Sequence, residues 1–299
     1  MIEKAGVFSI VGRPNVGKST LVNALTGAKV AIVSRKPQTT RSRITGILNE
    51  DDCQMIFLDT PGLHKPKTRL GDYMLKVIDQ TVEDVDTVVL VVEPVARVGK
   101  PEQILIDKIN QFDLPAILVI NKIDTLENKE ALLEVMATYA NLCPWLAIVP
   151  ISAGKQDGLD QLKAELKKQC VESPALFPED MYCDQPERQL VSEIIREKML
   201  SLLEEEVPHG TAVQIELMKE RENGITDISA VIYCERQGHK GIIIGKQGAM
   251  LKKIGQLARA DIEDLLDCKV FLELWVKVKE DWRNNPGAVR NFGYDSKQV

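Results

Sequence analysis

The stretch Gly12-Arg13-Pro14-Asn15-Val16-Gly17-Lys18-Ser19 matches the phosphate-binding pattern G-x-x-x-x-G-K-[ST] at every specified position. Ala5 to Val11 before it read as a short buried strand, and Thr20 to Leu25 after it open a helix, which is the context this motif needs. Gly12 and Gly17 let the main chain wrap closely, so that successive N–H groups and the helix N-terminus face anionic oxygens. In that arrangement Lys18 lies against the β- and γ-phosphates of a nucleotide, and the Ser19 hydroxyl ligates Mg²⁺.

After that helix, Ala28 to Arg43 has weak periodicity and ends polar and basic, so a mobile loop is expected. A hydroxyl from Thr39 or Thr40 in such a loop can complete the Mg²⁺ shell while the γ-phosphate is present and release it after hydrolysis. Gln54 to Leu58 reads as a strand delivering Asp59-Thr60-Pro61-Gly62-Leu63. Asp59 is placed to hold Mg²⁺, and Gly62, lacking a side chain, lets its N–H approach the γ-phosphate. His64 to Asp72, polar and broken by Pro66, is expected as a second switching loop.

Asp86 to Val92 and Leu114 to Ile120 are apolar runs separated by a helical segment from Glu102 to Asn110, as parallel strands buried on both faces require. The second run ends at Asn121-Lys122-Ile123-Asp124. Asp124 can accept from the N1–H and exocyclic amine of guanine, which adenine does not offer, while Asn121 and the stem of Lys122 hold the base plane. Trp145 to Ile151 reads as the last strand, and Ser152-Ala153 follows where a main-chain N–H can reach guanine O6. Gly158 to Gln169 closes the domain as a helix. Phosphate loop, D-x-x-G, N-K-x-D and S-A occur in the order of a GTPase, with GTP and GDP as its nucleotides.

The chain has 299 residues, enough for two domains, and its 44% hydrophobic and 27% charged content is that of an ordinary globular protein. Its apolar runs are too short to span a bilayer, and no signal peptide precedes the first strand. Six cysteines without a C-x-x-C pair and three dispersed histidines point to reduced thiols in the cytoplasm, without a disulfide framework or zinc site. The net charge of −6 argues against a nucleic-acid partner, yet Arg236, Lys240, Lys246, Lys252, Lys253 and Arg259 form an acid-free stripe. A second acid-free stretch, Lys4 to Asn49, carries eight basic residues, part of which must serve the nucleotide.

Glu172 to Glu187 holds three prolines and no periodicity, as a linker does. Helical spacing resumes with Leu190, Ile194, Ile195, Met199, Leu202 and Leu203, and Pro208-His209-Gly210 is expected to end that helix. Thr211 to Met218 and Ile225 to Cys234 alternate as strands about Asn223-Gly224. Gly245-Lys246-Gln247-Gly248 then forms a G-x-x-G loop before a basic helix, followed by a strand at Val270 to Val278. This order suits a type II KH module, whose loop clamps a single-stranded backbone. The expected organisation is α/β: a P-loop GTPase domain with a mostly parallel sheet (1–170), a linker (171–187), an α+β type II KH domain (188–281) and a tail (282–299).

GRPNVGKST, PQTTR, DTPGLH, NKID, PISA, SEIIREK, IIIGKQGAMLKKIG and LELWVKVKEDWR together resemble the Era family of GTPases with a C-terminal KH domain, over nearly the whole chain. The resemblance implies a ribosome-associated, monomeric GTPase that assists small-subunit maturation, its KH domain bound near the 3′ end of 16S rRNA, with no DNA partner. It also implies a cytoplasmic protein with some peripheral membrane association, for which no lipid-anchor motif is visible. Leu63 stands where small GTPases carry a water-orienting glutamine, so the attacking water must be positioned otherwise. Asn15 and the Thr39-Thr40 segment resemble those of GTPases activated by K⁺, which puts Lys18, Asn15 and Thr40 at the chemistry. Two other readings stay open on the residues alone: an RNA-binding module whose nucleotide only stabilises the fold, and a signalling GTPase whose basic stripe meets anionic lipid.

Overall fold

The computed structural model describes residues 2–34, 36–63, 68–83 and 85–294. Its first sheet holds β1 (Lys4–Val11), β2 (Ile44–Glu50), β3 (Cys53–Asp59), β4 (Thr87–Val92), β5 (Ala116–Ile120), β6 (Ala147–Pro150) and β7 (Val171–Glu172). They run in the order β2-β3-β1-β4-β5-β6, with β7 added to β1; β2 and β7 are antiparallel to their neighbours and the rest are parallel. Every residue of β4 and β5 is buried, because helices cover both faces of the sheet. Those helices are α1 (Lys18–Thr26), α2 (Arg69–Glu83), α3 (Lys100–Gln111), α4 (Lys129–Ala140) and α5 (Leu159–Lys167). Parallel strands place their C-terminal ends on one edge, where the loops after β1, β3, β5 and β6 meet; this is where a sheet of this kind binds ligands.

The second unit comprises α6 (Glu187–Leu202), β8 (Ala212–Glu220), β9 (Ile225–Cys234), α7 (Gln237–Ile244), α8 (Ala249–Leu266) and β10 (Lys269–Val278), followed by α9 (Pro286–Asn291). Its sheet runs β10-β9-β8, with β9 parallel to β10 and antiparallel to β8. That is the element order of a type II KH domain. Apolar residues of α6, α7 and α8 pack on one face of the sheet, with Ile195, Ile228, Ile243, Ile254 and Ile262 all at 1% exposure or less. Helix α6 stops earlier than Pro208-His209-Gly210. Leu203 is already extended, and its side chain turns into the KH core while its N–H still closes on the Met199 carbonyl.

Three stretches without periodicity are fastened down. Ala28 to Arg43, expected as mobile, buries Val30, Ala31 and Ile32, while the Asn23 carboxamide oxygen accepts from the N–H groups of Val30 and Ala31. The stretch expected as a linker begins as β7 and continues along the β2–β3 edge. There the Gln54 carboxamide bonds Leu176 and Phe177, and the Tyr182 carbonyl accepts from Ile47 N–H. The tail folds back: Trp282, Val289, Phe292 and Tyr294 form a small core with Leu70, Tyr73, Met74 and Val77 of α2 and Ala212 of β8. His64 to Lys67 lie outside the described residues, but Arg69 to Asp72, expected within a loop, already belong to α2.

Candidate active site and nucleic-acid interface

The phosphate end of the site is shaped by backbone. Gly12 (φ 151°) and Gly17 (φ 98°) take conformations that side chains resist, and a Cβ on Gly12 would lie 2.4 Å from the Val91 carbonyl oxygen. Lys18 is buried at the start of α1, its Nζ donating to the carbonyls of Gly12 and Arg13 at 3.2 Å each. Burial pushes this ammonium down to about 8, against the pull of the Asp59 carboxylate. The Ser19 hydroxyl donates to Asp59 Oδ2 at 2.6 Å and lies 2.9 Å from the Thr40 hydroxyl, which itself is 3.4 Å from the same carboxylate oxygen. Asp59 is fully buried, and its other oxygen, Oδ1, has no partner among the described residues. Burial raises the Asp59 pKa, opposed by Lys18, Ser19 and Thr40. Two hydroxyls around a buried carboxylate with an unsatisfied oxygen form a hard, all-oxygen donor set, which fits Mg²⁺.

Thr39 does not join this set. Its hydroxyl donates to the Lys36 carbonyl three residues back, at 2.6 Å, closing the turn before it, and Thr40 takes the place beside Asp59. Thr60 is likewise spent on structure, its hydroxyl donating to the Ile10 carbonyl at 2.9 Å. A Cβ on Gly62 would come within 2.6 Å of Pro14 N, so only glycine lets this loop lie on the phosphate loop; the Leu63 N–H donates to the Gly12 carbonyl at 3.2 Å. The Leu63 side chain packs against the apolar core beneath β4 and β5.

At the base end, Asn121 is a buried staple: Nδ2 donates to the Val16 carbonyl at 2.8 Å, and Oδ1 accepts from Ala153 N–H at 3.0 Å. One side chain thereby ties the loops after β1, β5 and β6 together. Lys122 (φ 65°) donates to the Asn15 carbonyl at 2.6 Å and to Glu93 at 2.5 Å. Asp124 is exposed, accepts from the Ser152 hydroxyl at 2.5 Å, and follows Ile123 in a short 3₁₀ turn. It is therefore open to donors on a planar base. Pro14, Asn15, Lys18, Ser19, Thr40, Gly62 and Lys122 line a cavity of about 790 Å³. Leu200 and Ser201 of α6 form part of its wall, so the KH unit closes one side of the site. No periodicity signalled that contact.

The G-x-x-G loop lies elsewhere, between α7 and α8. Gly245, Gln247 and Gly248 have φ of 71°, 52° and 81°. A Cβ on Gly245 would lie 2.7 Å from Met250 Cβ, so this glycine is required by the chain's own packing, whereas Gly248 faces open space. Lys246, Gln247, Lys252, Lys253 and Arg236 are exposed and Lys240 is half-buried, so the cations about this loop are open to solvent.

The residues missed in the sequence are those that join the two units. Arg41 and Arg196 are 2% and 1% exposed. Arg41 donates to the Thr211 carbonyl at 2.7 Å, the His209 carbonyl at 2.9 Å and the Tyr294 hydroxyl at 3.3 Å. Arg196 donates to the Thr39 carbonyl and to Glu193. Lys29 and Lys198 share Glu197 and Asp261, and Glu197 also accepts from Val33 N–H at 2.9 Å. The signal available was the placement of Arg41 directly after Thr40.

Fold and site together define a P-loop GTPase joined to a KH domain. A family model described as 50S ribosome-binding GTPase matches residues 7–122, and a KH domain model matches residues 206–283. GTPase Era of Ruminiclostridium cellulolyticum is 50% identical over 294 residues, 98% of each chain. A crystal structure of an Aquifex aeolicus Era variant bound to GDP and AlF₄⁻ superposes with a TM-score of 0.93 at 43% identity, covering 97% of this chain and 99% of that one. Era in complex with MgGDPNP and nucleotides 1506–1542 of 16S ribosomal RNA gives 0.93 at 42% identity over 98% and 99%. The chain belongs to the Era family of GTPases.

Proposed function

We propose that the chain is a GTP-hydrolysing switch that binds 16S rRNA near its 3′ end through its KH loop and assists maturation of the small ribosomal subunit. The observation that carries this is the meeting of Ser19, Thr40 and the orphaned Asp59 oxygen beside Lys18, at a cavity that Lys122 of N-K-x-D also lines. Lys18 and the loop N–H groups take the β- and γ-phosphates and Asp124 reads the guanine donors, while Ala153 N–H, expected at O6, is spent on Asn121 Oδ1. Ser19, Thr40 and Asp59 would hold Mg²⁺, which neutralises charge on the β/γ oxygens. Asn15, exposed on the cavity wall, is the side chain that would meet an activating K⁺. With an apolar Leu63 in place of a water-orienting group, turnover of the chain alone is slow, near or below about 10⁻² s⁻¹.

The exposed loop at Gly245 to Gly248, with Lys246, Lys252, Lys253, Lys240 and Arg236 about it, takes the RNA backbone. The partner relation follows the Era complex with a 16S rRNA segment at 42% identity. Among the described residues no helix is long and apolar enough to cross a membrane, and a cytoplasmic site of action suits the rRNA partner. Phosphate release from GTP in Mg²⁺, measured beside Lys18→Ala, tests the catalytic half. Turnover of GTP but not ATP, lost in Lys18→Ala, is expected; release unaffected by that substitution would remove the cavity from the chemistry.

A further inference from the structure

We infer that Glu93 is a positioning residue that couples guanine recognition to the phosphate loop, by clasping one cation from each with a single carboxylate. This rests on the reading of the cavity as a guanine nucleotide site. Glu93 follows β4, outside the four motifs. Its Oε2 accepts from Arg13 Nη2 at 2.5 Å, and its Oε1 accepts from Lys122 Nζ at 2.5 Å. Arg13 belongs to the phosphate loop and Lys122 to N-K-x-D. The same Lys122 ammonium donates to the Asn15 carbonyl at 2.6 Å, so Glu93 orients the lysine that grips the phosphate loop beside the Asn121 staple. The other edge of Arg13 is held by Glu102, whose Oε1 lies 3.1 Å from Nε and whose side chain is 3% exposed.

Two acidic groups beside a site for a polyanion weaken binding by repulsion unless they serve another end. Here each is engaged with a cation of the loops instead. The backbone agrees: Asn15 (φ 67°) and Lys122 (φ 65°) both sit in the left-handed region, which residues other than glycine keep only where their surroundings determine them. The contact between these two strained residues is the one Glu93 supports. Opening the clasp loosens both loops while the Asn121 staple still holds them, so its effect falls on how long a nucleotide stays. Arg13, Glu93 and Lys122 side chains are each 28% to 37% exposed, which screens the pairs and keeps the effect moderate.

The test is stopped-flow release of N-methylanthraniloyl-GDP from the full chain in Mg²⁺, for the parent, Glu93→Gln, Glu93→Asp, Arg13→Gln and the Glu93→Gln, Arg13→Gln double variant. Glu93→Gln should release on the order of fivefold faster, while the melting point of the nucleotide-free chain stays within a few degrees. Glu93→Asp, charged but one methylene shorter, should recover part of the parent's retention. The double variant should release less fast than the product of the two single effects, since the Arg13–Glu93 bond is lost in both singles. Release from Glu93→Gln or Arg13→Gln at the parent rate, or additive effects in the double variant, would overturn the clasp and leave the nucleotide site standing. A parent that takes up no labelled GDP would overturn both.

Discussion

Arg41 donates from Nη1 to the carbonyl of Thr211, 2.7 Å away and 170 residues further along the chain, and so joins the segment that carries Thr40 to the KH unit. The guanidinium also lies 5.8 Å from the ring centres of Trp282 and Tyr294. Arg41→Ala leaves the His209 and Thr211 carbonyls without this donor inside a buried seam, at a cost of about 2–4 kcal/mol. Arg41→Lys recovers little, because an ammonium cannot reproduce the planar fork. Urea unfolding should show the loss in both variants; an unchanged midpoint would mean that the two units are held elsewhere.

How much of this could be read beforehand depended on distance along the chain. The phosphate loop, D-x-x-G, N-K-x-D and S-A were legible because each meets a local backbone demand with a short run of residues. Likewise, β4 and β5 announced themselves as unbroken apolar runs. Arg41, Arg196 and Glu93 were not legible, since each acts on partners far away in sequence and none breaks a periodicity. The tail carried a signal in Trp282, Phe292 and Tyr294, but three aromatic residues without a repeat do not say which surface they cover. Thr39 and Thr40 were indistinguishable until the backbone direction decided which of them faces Asp59.

Trp282 is fully buried, donates from Nε1 to the Gly210 carbonyl at 2.9 Å and meets Phe292 edge to face at 5.1 Å. Trp282→Ala should cost about 3–5 kcal/mol through the cavity it leaves between α2 and β8. Trp282→Phe, which keeps most of the volume and loses the donor, should cost less. Thermal unfolding of the two variants checks the order, and equal losses would contradict the packing account.

Lys18 sits at about 8 in the free chain against an ordinary 10.5. Between those values the unfolded chain holds a proton that the folded chain has released, so this residue makes stability rise with pH across that window and leaves it unchanged below it. Nucleotide phosphates favour the ammonium, so binding takes the proton back. GDP affinity should therefore fall as pH rises above 8, by up to about tenfold per unit, and the slope should vanish in Lys18→Arg. Calorimetry at pH 8.5 in two buffers of different ionisation enthalpy reads the proton directly. No uptake would contradict the shift.

Asp124→Asn replaces an acceptor for the guanine N1–H and amine with an amide. GTP affinity should drop by about 1–3 kcal/mol, and xanthosine triphosphate, whose C2 oxygen accepts from the amide, should gain. A competition titration in which GTP holds its affinity would remove Asp124 from base recognition.

A chain that combines this nucleotide site with an RNA-binding KH loop should lose one function without the other when the loop is changed. Fluorescence anisotropy of a labelled single-stranded RNA from the 3′ end of 16S rRNA, titrated with the full chain across a salt series, measures that binding with GDP affinity followed in parallel. The parent should bind this RNA, and Lys252→Ala with Lys253→Ala should flatten the salt dependence by about 0.7 for each lost contact. Lys246→Glu with Gln247→Glu should abolish RNA binding while GDP affinity stays intact. RNA binding by that acidic loop variant at the parent's affinity would contradict an RNA-binding role for the loop.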